Sequence, residues 1–330
     1  MVNVGVIGCG YWGPNLIRNF QQNSDSKVVK ISDLREGRLE FIKGLYPEVI
    51  TTQDANEIIN DPNIQAVVIA TPVNTHKDLA IQAMRNGKHV FVEKPLTESI
   101  VAAEELVSEA KKLNKIVAVG HIFQFAPAVS ALKREIEAGT LGKVYHYSSQ
   151  RINLGPPKTT VDVLWDLAPH DLSIVLYLFG ESPSKVIAHG SSNWWEGYVD
   201  NAHILMDFPS GKTAHIHLSW LSSKKTRRTM LFGEYGNFEY DETLPDESKV
   251  VYYDKGIDNR INAKDNEKVN LQYGVGEVRP VEVVKGEPLA LEVNAFIQAI
   301  MSGVPPINDG NIGMEVVKIL EAATKSMKGI

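Results

Sequence analysis

The 330-residue sequence predicts an α/β protein in two parts: a doubly wound parallel sheet over residues 1–121, then helices with an antiparallel, half-exposed sheet over 122–330. Three observations predict it. Short apolar runs without polar alternation recur through the first part, as in parallel strands covered on both faces. Helix-period segments separate those runs, the alternation of a doubly wound domain. After about residue 121 the runs alternate polar with apolar and are divided by turn signals such as PSG and EYGN.

The strand-like runs are VGVIG (4–8), VVKIS (28–32), AVVIAT (66–71), HVFVE (89–93) and IVAVG (116–120). Between the last two lies SIVAAEELVSEAKKLN, with apolar residues at 100, 103, 106, 107 and 110 on one helix face. A helix over 126–138 opens the second part, followed by VYHYSSQ and a helix entered at WDLAPHD (165–171). Strands are then expected at 186–194, 202–208, 213–221, 229–242 and 250–254, and closing helices near 288–302 and 310–327. The stretch 255–288 has no clear period.

Composition narrows the function classes. With 34 basic and 40 acidic residues the net charge is −6, and no basic face suggests nucleic-acid binding. The KKTRR stretch at 224–228 reads as a solvated strand entry. Cys9 stands alone, so a disulfide framework and a thiolate zinc site are both excluded. No signal peptide or membrane-length apolar run is found, and a cytoplasmic protein without membrane partners is expected. His203, His215 and His217 lie on sheet strands without an acidic or cysteine ligand nearby, so no metal site is expected.

Gly8-x-Gly10-x-x-Gly13 follows the first strand and opens a helix, and Asp33 ends the second strand twenty residues on. That context turns a weak motif into a dinucleotide site. Its glycines admit the pyrophosphate, the helix N-terminus supplies amide donors, and the acid binds ribose hydroxyls. Tyr11 and Trp12 complete the turn. Asp33 favours NAD over NADP, although Arg35 is placed to accommodate a 2′-phosphate. Ligands in such sheets bind beyond the carboxyl ends of the strands. Thr71, Pro72, Thr75 and His76 of ATPVNTH are therefore expected along the cofactor, with Thr75 equally readable as a helix cap. Glu93-Lys94-Pro95 sends a lysine from a buried strand into the same crevice.

In WDLAPHD, Asp166 at the N-cap would place Pro169 in the first turn, where its missing N–H is harmless. His170, one turn on, would share a face with Asp166. Capping then explains Asp166 but not His170. A helix N-terminus favours a neutral imidazole, the form a general base needs.

The chain resembles the Gfo/Idh/MocA oxidoreductase family through GCGYWG, ATPVNTH, VEKPLT, GHIFQFAPAV (120–129) and WDLAPHDLSIVLYLFG. The resemblance covers nearly the whole length. It implies an N-terminal Rossmann domain, a C-terminal α/β domain with a large, mostly antiparallel sheet, and NAD(P)-dependent oxidation or reduction of sugars, polyols or nucleotide-sugars. Carried over by position, Lys94, Asp166 and His170 become the catalytic group, with Gln124 and Phe125 beside the substrate; Gln124 stands where relatives often carry a base. The 153–171 stretch is also similar to UDP-N-acetylglucosaminuronate 3-dehydrogenases of surface-polysaccharide pathways. This implies oxidation at C3 of a UDP-N-acetylhexosaminuronate. Arg151 and Lys158 are candidate anion contacts or solvated loop charges, and Asn153 is a hydroxyl contact or a turn residue. A free sugar or inositol-like polyol, an NAD-dependent glycosidase and a non-enzymatic NAD- or sugar-binding regulator are the alternatives. A homodimer or homotetramer through the C-terminal sheet is expected.

Overall fold

The computed structural model describes residues 1–155, 161–194, 196–254 and 276–329. The first strands and helices alternate as β1 (Val2–Ile7), α1 (Gly13–Gln22), β2 (Ser26–Ser32), α2 (Glu36–Leu45), β3 (Ile50–Thr52), α3 (Asn56–Ile59), β4 (Ala66–Ile69), α4 (His76–Arg85), β5 (His89–Val92), α5 (Ile100–Leu113) and β6 (Val117–Val119). They form a six-stranded parallel sheet of order β3-β2-β1-β4-β5-β6. The order reverses beside β1, so the ends of β1 and β4 flank the switch point where such sheets bind ligands. The short β3, only three residues long, carries too little pattern to be read from sequence. Ser99 caps α5 by accepting from Ala102 N–H, and Asn114 ends it in the left-handed region at φ 52°.

After α6 (Pro127–Glu137), the chain builds β7 (Val144–Leu154), α7 (Val163–Phe179), β8 (Lys185–Ser191), β9 (Asn201–Asp207), β10 (Thr213–Ser219), β11 (Leu221–Gly233), β12 (Asn237–Asp241), β13 (Val250–Tyr253) and β14 (Val278–Pro280). These strands make an eight-stranded sheet of order β14-β13-β12-β11-β7-β10-β9-β8. Its ladders are antiparallel except β7 with β10. One face packs against α7, which crosses β7, β9 and β10, while α6 packs on α7. Edge contacts of Phe179 with Tyr147 and Phe208 fill that layer. Helix α7 is apolar nearly all round, as a helix between a sheet and another helix must be.

Two helices close the chain, α8 (Pro288–Ser302) and α9 (Gly310–Met327). Sequence reading divides the chain once, at residue 121; the structure divides it differently. One compact unit comprises Met1–Phe125 with Gly286–Glu321, the other Ala126–Lys285 with Ala322–Ile330. The reason is hydrophobic. Leu289, Val293, Phe296 and Ile297 of α8 join the core of the parallel sheet, where Phe296 meets Phe20 and Phe91 edge-on at 6.2 and 5.7 Å. Asn308 then donates to the Val119 carbonyl at 2.6 Å, pinning the return beside β6. Among the described residues no helix is long and apolar enough to cross a membrane.

Candidate active site

In the first unit the glycine turn explains its own composition. Gly8 has φ +94°, and a Cβ there would lie 2.6 Å from the Ala70 carbonyl oxygen. A Cβ at Gly13 would lie 2.7 Å from the Gly8 carbonyl, because α1 starts directly against the turn. Gly10 borders a cleft of about 710 Å3 that Gly8, Asp33, Arg35, Thr71, Pro72 and Thr75 also line. Arg38 donates to the carbonyls of Cys9 and Gly10, both at 2.8 Å, and so satisfies oxygens that would repel a phosphate. Tyr11 is exposed, whereas Trp12 packs on the core and reaches the Glu93 carboxylate.

Asp33 is fixed by Cys9 N–H at 3.0 Å and by Arg35, whose Nε and Nη2 donate to its two oxygens at 2.9 and 3.0 Å. Burial pushes this carboxyl up, but the Arg35 bonds and the Cys9 N–H outweigh it and hold Asp33 well below the usual carboxylate range. Arg35 is thus paired with Asp33, and an ionised acid faces the cleft that the glycine turn borders. Burial and Asp33 push the Cys9 thiol up to about 12, so it is no nucleophile. A glycine cradle, a helix N-terminus and an ionised acid fit the diphosphate and ribose of a dinucleotide.

His76 has another task. Its ring nitrogens lie 3.0 and 2.9 Å from the carbonyls of Pro95 and Thr71, and burial lowers its pKa. Its single N–H in the neutral form donates to one of these carbonyls and holds the ring against the turn. The Thr75 hydroxyl bonds Thr71 and the Pro72 carbonyl, each at 2.7 Å, and does not cap α4. Lys94 follows β5 as expected, and its N–H donates to the Glu93 carboxylate at 3.3 Å. Burial pushes Glu93 up to about 7 against the opposing charge of Lys94. Gln124 and Phe125 are buried in the turn after β6.

Sequence reading missed three groups here. Glu292 of α8 is buried, raised by burial and by Glu93, and held by Asn308 at 3.1 Å. His121 is fully buried beside Lys94, and burial and that charge push it down to about 3. His121 stands just past a parallel strand, the position that singled out Lys94, so the same rule would have found it. Arg38 and Glu292 carry no local signal.

In the second unit α7 corrects the reading of WDLAPHD. Its N-cap is Asp162, whose carboxylate accepts from Trp165 N–H at 3.0 Å. Asp166 lies in the first turn and His170 in the second, where the helix dipole has faded. Pro169 is inside the helix and gives no N–H to the Trp165 carbonyl. Neither member of the Asp166–His170 pair is a cap.

Arg151 is a second correction. It is buried, with Nε on Asp171 at 2.5 Å and Nη1 on Glu242 at 3.3 Å, so it ties β7 to α7 instead of waiting for an anion. Asn153 accepts from Arg227 Nη2 at 2.6 Å and donates to the Leu154 carbonyl at 2.8 Å. Lys158 lies outside the described residues. Within KKTRR, Lys224, Lys225 and Arg228 are exposed, but Arg227 is half-buried on the helix-covered face. His203 stacks on His217 at 4.3 Å and meets His215 at 3.2 Å on the opposite face.

Comparison with known proteins matches two successive regions of the chain. Residues 2–121 match the oxidoreductase family with an NAD-binding Rossmann fold, and residues 129–239 match the Gfo/Idh/MocA C-terminal domain. The chain is 28% identical to myo-inositol 2-dehydrogenase of Thermotoga maritima over 99% of its length and 96% of that protein. It is 33% identical to the NAD(+) scyllo-inositol 2-dehydrogenase of Bacillus subtilis over 66% of its length and 67% of that protein. Its fold matches UDP-N-acetylglucosamine 3-dehydrogenase GnnA from Acidithiobacillus ferrooxidans with TM-score 0.84, 23% identity, and 99% and 98% of the two chains covered. The glycine turn, the ionised Asp33 and both matched domains identify this chain as a member of the Gfo/Idh/MocA family of NAD-binding oxidoreductases.

Proposed function

We propose that the chain is an NAD-dependent dehydrogenase that oxidises a secondary hydroxyl of a sugar, polyol or nucleotide-sugar. The observation that carries this reading is the cap of α7. Asp162 performs it, so capping does not account for the pair; the helix dipole accounts for an acid in the first turn at 166 but not for a histidine at 170. NAD, when bound, supplies the hydride acceptor. His170 takes the hydroxyl proton, Lys94 hydrogen-bonds the same oxygen and stabilises developing alkoxide charge, and Asp166 orients one of them or binds a neighbouring hydroxyl.

Inositol-like polyols are supported by the named relatives, and UDP-N-acetylhexosaminuronates oxidised at C3, in surface-polysaccharide synthesis, by the sequence around α7. A cytoplasmic homodimer or homotetramer belongs to the same reading. Ile187 and Leu205, paired across β8 and β9, are 44% and 51% exposed on the open sheet face, a surface suited to a second copy.

Single-turnover fluorescence tests the reaction. Enzyme in excess is mixed with NAD and with myo-inositol, UDP-N-acetylglucosamine or UDP-N-acetylglucosaminuronate. The expected result is a burst of reduced nicotinamide with one of these. Lys94→Ala and His170→Ala should each slow it by about 10²- to 10⁴-fold, the usual worth of acid–base catalysis, and change NAD affinity far less. Absence of a burst with every sugar and polyol moves the glycosidase or regulator ahead.

A further inference from the structure

On the helix-covered face of the second sheet, β7 and β11 set Arg151 and Arg227 directly opposite one another. Like charges in that position repel. Arg151 is neutralised by Asp171 and Glu242. Arg227 is not treated the same way. Its acceptors are all uncharged: the Asn153 amide oxygen at 2.6 Å and the carbonyls of Thr226 and Ile152 at 3.1 and 3.3 Å. None of the described residues places a carboxylate in an ion pair with it, and its Nε and the second Nη2 hydrogen bond none of them.

A half-buried guanidinium beside a second guanidinium is costly when only neutral groups meet it. Burial and Arg151 lower its pKa, while Glu242, Asp171 and Asp166 act in the opposite sense without touching it. The position is not arbitrary. Asp171, which binds the facing Arg151, directly follows His170 on α7, and Asp166 is near enough for its charge to act on Arg227. Guanidinium offers a planar fork that fits a carboxylate or phosphate through two parallel hydrogen bonds.

We infer that Arg227, steadied by Asn153, is the residue that recognises an oxyanion carried by the substrate, a carboxylate or a phosphate. The inference rests on the dehydrogenase reading and narrows its substrates to acidic sugars, because a neutral polyol leaves this cation unmatched.

The test compares full-length wild type with Arg227→Gln and Arg227→Lys, all saturated with NAD. Calorimetry measures affinity for UDP-N-acetylglucosaminuronate, UDP-N-acetylglucosamine, free glucuronate and myo-inositol, and kcat and KM are measured separately for each compound that turns over. Arg227→Gln should weaken binding of the anionic ligand by about 10- to 100-fold relative to myo-inositol, the worth of a hydrogen bond to a charged group. Arg227→Lys should recover part of it. Weakening confined to the two carboxylated sugars assigns a carboxylate; weakening confined to the two UDP-sugars assigns a phosphate. Equal weakening for myo-inositol, no weakening for any compound, or no binding of any anionic compound by wild type overturns the inference. Lack of reduced nicotinamide with every compound instead removes the dehydrogenase reading, and the binding comparison still decides Arg227.

Discussion

Glu93 shows how a single carboxyl reports its surroundings. Its usual pKa of 4.5 rises to about 7, because burial disfavours the charge and Lys94 offsets it only in part. The folded chain therefore holds this proton more tightly than the unfolded chain. The stability that results is fully present below pH 4.5 and is lost as pH rises through about 7. Glu93→Gln, which keeps the shape and cannot ionise, should lose less stability across that window than wild type. Scanning calorimetry at intervals across it decides the matter; identical pH profiles for the two proteins would mean that Glu93 titrates normally. Other residues divide by how local their tasks are. Gly8, Gly10, Gly13 and Asp33 were legible because their spacing and strand context state the geometry they serve. Arg151 and Arg227 were not. Both are basic residues within strands, and only the pairing of β7 with β11, with the acids brought beside Arg151, decides that one is neutralised and the other meets neutral oxygens among the described residues.

At the scale of elements, α7 carries the main correction. Asp162 and Asp166 are both acids before an apolar run, and either makes a sound N-cap from sequence alone. The helix starts at Val163, which gives capping to Asp162. Asp162→Ala should destabilise the protein by about 1 kcal/mol, with Asp162→Asn close to wild type, since asparagine caps as well. Urea unfolding checks this, and an equal loss in both variants would show that the carboxylate charge matters beyond the cap. The elements read most accurately were α8, which ends at Gly303 just before a proline pair, and α9, whose apolar period is long. The one missed in the first sheet was β3, too short to show a period.

For the whole molecule, the return of α8 to the first unit has a direct consequence. A fragment of residues 1–121 contains every strand of the parallel sheet, yet it lacks Leu289, Val293, Phe296 and Ile297 from the core. It should therefore bind a hydrophobic dye and melt without cooperativity, whereas a chain joining 1–125 to 286–321 should melt cooperatively. Cooperative melting of the short fragment would show that α8 is dispensable. The sequence by itself determined the alternation of strands and helices and the dinucleotide turn. Those are written in short-range spacing, which fixes backbone period, turn geometry and residue type. Only the tertiary structure decided which unit α8 completes, which acid caps α7, and which arginine has no carboxylate partner among the described residues. Each of those depends on groups far apart in the chain being brought into contact, where burial and pairing set the charge each one keeps.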